Sequence, residues 1–138
     1  ANGELVLDSE NTNYSYGSLQ RILKHGLQSV GFDKIKAMEH ILVLGVAGGS
    51  VFKTLVNDIQ FTGRLTGIEI DPTVIKIANE HFKLNEIPKL DIVIDNAFDF
   101  VLKTTEKADL TVAATSFFIF LIYRLKVKAI SKTQFIKY

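Results

Sequence analysis

The stretch Ile41-Leu-Val-Leu-Gly-Val-Ala-Gly-Gly-Ser50 decides the fold of this chain. Its first four residues are a continuous apolar run, as expected for a strand that is covered on both faces. A glycine-rich turn follows over residues 45–50, and residues 51–57 have a helical pattern. Glycine adopts dihedral angles closed to other residues and lets a ligand approach the backbone, so the loop is a candidate binding element. A tight strand-to-helix turn without a ligand is the alternative.

The same order of strand and helix repeats along the chain. We predict further strands at residues 65–70, 90–94 and 110–114, and helices that begin at Asp71-Pro72 and at Phe98. Upstream, residues 1–35 predict a short strand at 4–7, turn chemistry at 8–13 and an amphipathic helix over 16–30 that ends at Gly31. This alternation predicts an α/β fold: a doubly wound, mostly parallel sheet with helices on both faces.

Polar residues lie near the ends of the second and third predicted strands, where ligands of such sheets bind. Glu69 lies 24 residues after Gly45 and can accept hydrogen bonds from both hydroxyls of a ribose, close to the spacing of the dinucleotide fingerprint. Asp71 is better placed to cap the next helix. Asp95-Asn96-Ala97 can meet an adenine edge, and Phe98 can cover the ring. An ordinary turn is the alternative for Asp95-Asn96.

Composition divides the chain unequally. It has 138 residues and a formal net charge of +1. Residues 1–109 contain all 15 acids and 11 basic residues, which gives −4, whereas residues 110–138 contain five basic residues and no acid. The absence of cysteine excludes disulfides, thiolate zinc sites and cysteine nucleophiles, and fits a cytoplasmic protein. We expect no export signal, and the longest apolar stretch, residues 110–123, is shorter than the ~20 residues of a membrane helix.

Together these motifs resemble the class I S-adenosylmethionine-dependent methyltransferase fold, and more narrowly its spermidine synthase (aminopropyltransferase) branch. The resemblance implies a transferase in polyamine biosynthesis that uses S-adenosylmethionine or decarboxylated S-adenosylmethionine. It implies that the glycine loop lines the methionine side, Glu69 holds the ribose, Ile70 lies against the adenine and Asn96 contacts its amino group. Tyr16 would face the amine substrate. The predicted cofactor-binding residues are Gly45, Val46, Ala47, Gly48, Gly49, Glu69, Ile70, Asp71, Asn96 and Ala97.

The chain departs from this family at the end of the fourth strand. The resemblance implies an aspartate there, which helps to deprotonate the attacking amine, but the matching position is Ala114, and alanine cannot transfer a proton. The catalytic residue therefore stays unassigned, and one interpretation of Ala114 is that the chain as given is inactive. Residues 110–138 form an atypical apolar and basic tail of the single domain 1–138. We expect a truncation or frameshift after about residue 109, with a genuine short variant as the alternative.

Two other functions stay open. A fragment of an NAD-dependent oxidoreductase shares the loop and the ribose acid, although Ala47 and the Asp-Asn-Ala turn count against it. A non-catalytic binding or assembly module is favoured by the apolar run 117–123. We expect a small-molecule amine substrate, no membrane and no metal, because His25, His40 and His81 lack ligand spacing and suit the surface or helix ends. Nucleic-acid binding has little support, and homo-oligomerisation is left open.

Overall fold

A computed structural model describes residues 8–9, 12–13, 18–46, 49–114, 119–123 and 136–137, with side chains from 20–46 and 49–113. The predicted strand at 4–7 and the predicted site residues Tyr16, Ala47 and Gly48 lie outside the described residues.

A six-stranded sheet organises the chain, in the spatial order β5-β4-β3-β6-β7-β8, and β1 and β2 form a separate hairpin. Strands β3, β4, β5 and β6 are mutually parallel, whereas β7 and β8 are antiparallel to their neighbours. The strands are β1 Asp8–Ser9, β2 Thr12–Asn13, β3 His40–Leu44, β4 Arg64–Glu69, β5 Leu90–Ile94, β6 Leu110–Ala114, β7 Ile119–Tyr123 and β8 Ile136–Lys137.

Helices cover both faces of the sheet. They are α1 Ser18–Val30, α2 Phe32–Lys36, α3 Ser50–Lys53, α4 Pro72–Phe82 and α5 Ala97–Lys103, with a π-helical turn at Thr54–Asp58 and a 3₁₀ turn at Leu84–Glu86. Side chains alternate across a strand, so neighbouring β3 residues enter different cores. Ile41 packs with residues of α1, α2 and α3, whereas Leu42 packs with Ile68 of β4 and Phe100 of α5. The predicted doubly wound, mostly parallel α/β sheet is confirmed.

Several predicted boundaries were wrong by one or more residues. The helix expected over 51–57 is divided into α3 and the π-helical turn, in which the Ile59 N–H donates to the Thr54 carbonyl oxygen. The predicted turn at 8–13 includes paired residues, because Asp8 pairs with Asn13 and Ser9 with Thr12. The short helix α2 was not predicted, since five residues are too few to reveal a helical period.

Residues 119–123 of the apolar run after β6 form a strand of the sheet. Ala114 pairs with Ile119, so β7 returns antiparallel along β6, and Leu121 pairs with Ile136 of β8. In a doubly wound sheet, a crossover helix would carry the chain to another parallel strand. The sheet therefore changes from parallel to antiparallel strand pairing between β6 and β7.

Candidate functional site

The three predicted ligand-binding segments lie side by side because they follow adjacent parallel strands. The Gly45 N–H at the end of β3 donates to the Ile68 carbonyl oxygen of β4 at 2.8 Å. The Asp95 N–H after β5 donates to the Glu69 carbonyl oxygen at 3.0 Å. Backbone hydrogen bonds therefore join the glycine loop, the Glu69 segment and the Asp95 segment at one edge of the sheet.

The glycine loop uses backbone conformations that favour glycine. Gly45 has a φ of 91° and Gly49 a φ of 83°, both in the left-handed region. Space is also limited at Gly49, where an added Cβ would lie 2.9 Å from Leu84 Cδ1. The Gly49 N–H donates to the Val46 carbonyl oxygen at 2.9 Å, which closes the turn before α3. The sequence of this loop thus fixes a sharp turn between β3 and α3.

The Glu69 carboxylate is held between two backbone N–H groups. Its Oε2 accepts from the Val46 N–H at 3.1 Å, and its Oε1 accepts from the Asp71 N–H at 3.2 Å. The residue is half-buried at the end of β4. Hydrogen bonds to a carboxylate are stronger than those between neutral groups, so the two bonds fix its orientation beside the loop.

Asp71 is the N-cap of α4, as expected from the sequence. Its Oδ1 accepts from the Thr73 N–H at 2.9 Å, and Pro72 occupies the start of the helix, where its missing N–H costs nothing. Because this cap begins two residues after Glu69, it also holds the backbone N–H of Asp71 in position for the Glu69 carboxylate.

Asn96 caps the other helix at this edge. Its Oδ1 accepts from the Phe98 N–H at 2.9 Å and from the Asp99 N–H at 3.1 Å. The preceding Asp95 pairs with Lys103, whose Nζ lies 2.6 Å from Oδ2. The hydrogen bond from Lys103 lowers the pKa of Asp95, and Asp95 in turn raises the pKa of Lys103. The pair thus ties the last residue of α5 to the turn that starts it.

Large apolar side chains stand uncovered around these polar groups. Ile70 is 64% exposed directly after Glu69, and Phe98 is 70% exposed in the first turn of α5. Ile94 and Leu102 are also exposed, at 49% and 63%. Exposed apolar side chains next in sequence to converging polar groups are typical of a ligand site.

The end of β6 supplies no acid. Ala114 is its last residue and pairs with Ile119 of the returning strand β7, so the strand end that would carry a carboxylate in the resembling family has none here. Tyr16, Ala47 and Gly48 belong to the undescribed part. The structure brings together Gly45, Val46, Gly49, Glu69, Ile70, Asp71, Asn96 and Ala97 of the predicted set.

His40 differs from its predicted surface position. It is buried at the start of β3, at the opposite edge of the sheet, where Nδ1 lies 2.7 Å from the Lys107 carbonyl oxygen. Its Nε2 lies 2.9 Å from the Thr66 hydroxyl oxygen, so both ring nitrogens have polar neighbours. The first four residues of β3 are all buried, so a position at the start of this strand places His40 in the interior.

Within the described ranges, no group of three or more His, Asp or Glu residues could hold a metal ion. Over the same ranges, no helix is long and apolar enough to cross a membrane.

Comparison with known sequences finds transferases. No family model matches the chain. It is 28% identical over 102 residues to the eEF1A lysine and N-terminal methyltransferase homolog of Drosophila melanogaster, and this match covers 68% of this chain and 15% of the relative. It is 30% identical over 81 residues to the polyamine aminopropyltransferase of Buchnera aphidicola subsp. Schizaphis graminum, and this match covers 55% of this chain and 28% of the relative. The chain thus spans less than a third of the length of either relative.

Comparison with solved structures finds the same two classes of protein. Spermidine synthase from Thermotoga maritima matches 80% of this chain and 39% of its own, with a TM-score of 0.62 at 18% identity. Human methyltransferase-like protein 13 in complex with SAH matches 62% of this chain and 39% of its own, with a TM-score of 0.53 at 18% identity. The chain therefore has the class I methyltransferase fold that both of these proteins display.

Proposed function

We propose that the chain is the nucleoside-binding part of a transferase that uses S-adenosylmethionine or its decarboxylated form. It would pass a methyl or aminopropyl group to an amine or another nucleophile. One observation carries the proposal: the Glu69 carboxylate is fixed between the Val46 and Asp71 N–H groups, directly beside the glycine loop. The transferases among the similar proteins support it.

The Glu69 site suits a ribose. The two vicinal hydroxyls of a ribose are donors, and an ionised carboxylate is an acceptor with about four lone-pair sites. Its orientation is already set by backbone N–H groups, so binding requires little further ordering of this side chain. A phosphate group in the same place would meet a like charge, which favours a nucleoside over a nucleotide.

The exposed apolar side chains suit the base of that nucleoside. Ile70 directly follows the ribose acid, and Phe98 directly follows the Asp95-Asn96-Ala97 turn, so one apolar side chain comes from each strand end. Their exposed fractions of 64% and 70% leave most of each side chain available for contact with a planar ring. Covering them with adenine would bury apolar surface that is otherwise in contact with water.

When bound, the sulfonium cofactor supplies an electrophilic carbon for attack by the nucleophile. The residues of this chain would bind and orient the nucleoside: the loop from Gly45 to Gly49 next to the methionine side, Glu69 at the ribose, and Ile70 and Asn96 at the base. Much of the catalysis would consist of positioning the attacking group in line with the carbon.

Calorimetric titration tests this function. We expect the protein to bind S-adenosylhomocysteine and its decarboxylated relative, and not NADH. Preference between the first two ligands would indicate methyl or aminopropyl transfer. If NADH bound and neither S-adenosylhomocysteine nor its decarboxylated relative did, the chain would be better explained as an oxidoreductase fragment and the proposal would be refuted. An exposed-site variant, Glu80→Gln, serves as the control for protein quality, because Glu80 is exposed on α4.

A nucleoside-binding module without catalysis is the second candidate. It is favoured by Ala114 at the end of β6 and by the antiparallel return of the chain at that point. Incubation of the protein with isotopically labelled cofactor and a diamine distinguishes the two. Tight nucleoside binding with no labelled product would favour the module, whereas labelled product would establish the transferase.

A further inference from the structure

Leu84 is a buried side chain that lies next to the glycine loop without belonging to it. It is 1% exposed in the 3₁₀ turn after α4, and it packs in the core that also contains Val46 and Phe52. A Cβ added at Gly49 would lie 2.9 Å from Leu84 Cδ1. Because carbon atoms pack at about 3.5–4.0 Å, this methyl group fills the space that a side chain at position 49 would need. Leu84 therefore packs against the loop at Gly49.

The backbone that carries Leu84 has an uncommon conformation. Lys83, the C-cap of α4, has a φ of 56°, in the left-handed region where glycine or asparagine is usual at a helix end. In the turn that follows, the Glu86 N–H donates to the Lys83 carbonyl oxygen at 3.0 Å, and the Ile87 N–H donates to the Leu84 carbonyl oxygen at 3.1 Å. Backbone strain of this kind is retained where the chain must hold a particular position, and here it brings a leucine to the loop.

The α4 segment thus contacts the candidate site at both of its ends. At the start of α4, the Asp71 N–H donates to Glu69 Oε1 at 3.2 Å. Beyond the other end, Leu84 packs against Gly49, whose N–H donates to the Val46 carbonyl oxygen at 2.9 Å and closes the turn before α3. The first contact orients the carboxylate and the second supports the loop. A loop that moved would therefore leave the Glu69 carboxylate with its bond from Asp71.

We propose that Leu84 is a positioning residue that fixes the glycine loop for the methionine side of the cofactor, separately from the carboxylate that holds the ribose. The inference rests on the proposed nucleoside-binding function and deepens it. Removal of the Leu84 methyl groups opens space beside Gly49, so the loop gains freedom that ligand binding must then remove. The part of a ligand next to the loop loses affinity, whereas the nucleoside at Glu69 keeps most of its own.

Two ligands and two buried leucines test the proposal. In the proposed site, S-adenosylhomocysteine reaches both Glu69 and the loop, whereas adenosine lacks the amino-acid part. The variant is Leu84→Ala, and its matched control is Leu65→Ala, because Leu65 is fully buried in the same core but lies near the start of β4, away from the loop. Leu84→Val, which only shortens the side chain, and Leu84→Met, which conserves its volume, complete the series. Circular dichroism checks that each variant is folded before calorimetry.

We expect Leu84→Ala to bind S-adenosylhomocysteine about five- to tenfold more weakly than wild type, the scale of one hydrogen bond that is no longer well placed. Its affinity for adenosine should change by less than about twofold, and Leu65→Ala should leave the ratio of the two affinities unchanged. Leu84→Met should recover most of the lost affinity. Leu84→Val should show the same selective loss to a smaller extent, and it replaces Leu84→Ala if the alanine variant does not fold.

Three results would overturn the inference: equal losses for both ligands in the Leu84 variants, unchanged affinity for both, or the same change of ratio in Leu65→Ala. Each would make Leu84 a residue of the core only. Failure of the wild-type protein to bind either ligand would instead overturn the proposed function, on which the inference rests.

Discussion

Replacing Gly67 by alanine should disturb both the core and the candidate site. Gly67 lies within β4, where it pairs with Val43 on one side and Ile92 on the other. An added Cβ would lie 2.7 Å from Phe52 Cζ, 2.8 Å from Val46 Cγ2 and 3.0 Å from Ile92 Cδ1. Carbon atoms pack at about 3.5–4.0 Å, so each neighbour must move by roughly 0.5–1 Å. The three neighbours belong to three different segments, which limits a common adjustment.

The expected cost is at the upper end of the range for an overpacked core. Insertion of a methyl group into a well-packed interior costs about 1–3 kcal/mol, and we expect about 3 kcal/mol for Gly67→Ala because Phe52 and Val46 are fully buried. Affinity for S-adenosylhomocysteine should also fall, because the Val46 N–H orients the Glu69 carboxylate.

Urea unfolding measures this cost. The double variant Gly67→Ala/Phe52→Leu provides the matched control, because leucine removes the ring atom that approaches the new Cβ at 2.7 Å and should restore part of the stability. A change of less than about 0.5 kcal/mol in the free energy of unfolding of Gly67→Ala would contradict overpacking at this position. Overpacking would also be contradicted if the second substitution only added its own destabilisation.

Three further predictions concern the polar groups of the site. Glu69→Gln should weaken S-adenosylhomocysteine binding about tenfold or more in calorimetry, since a charged acceptor is lost, whereas Glu80→Gln should leave it unchanged. Asp71→Ala should lower the free energy of unfolding by about 1 kcal/mol in urea, and an unchanged midpoint would contradict the cap. Lys103 lowers the pKa of Asp95, so the pair stabilises the fold above the ordinary aspartate pKa of about 3.9 and loses this as pH falls through the lowered value. The free energy of unfolding of Lys103→Gln should therefore depend less on pH between about 5 and 2 than that of the wild-type protein. Equal pH dependence in the two proteins would contradict the pairing.

The two N-cap residues show what could and what could not be predicted from the sequence. Asp71 before Pro72 predicts a helix start, because aspartate suits the N-cap and proline suits the first helical position. The structure confirms this start at α4. Asn96 was predicted at an adenine edge, and the structure shows it capping α5. A short polar side chain after a strand suits either role, since both need only a group within reach of the turn. Which way its amide faces depends on the helix that follows.

Two features depended on tertiary structure. The apolar composition of residues 119–123 indicates burial but not strand direction, so the antiparallel pairing of β7 with β6 could not be read from the residues. The interior position of His40 depends on the Lys107 carbonyl and Thr66 hydroxyl, which are distant in sequence and meet it only in the folded sheet. By contrast, each of the four parallel strands coincides with a local apolar run. The alternation of these runs with helical segments was therefore sufficient to predict them.

Backbone amide spectra of the ¹⁵N-labelled protein, titrated with S-adenosylhomocysteine, test the central claim most directly. We predict saturable shifts at the carboxyl ends of β3 and β4, at the amide of Gly45 and at the amides of Val46 and Asp71, which donate to the Glu69 carboxylate. The amides of His40 and Arg64, at the opposite edge of the sheet, should stay unchanged. Saturable shifts confined to the His40 edge, or no shifts at millimolar ligand, would contradict a nucleoside site at the glycine loop.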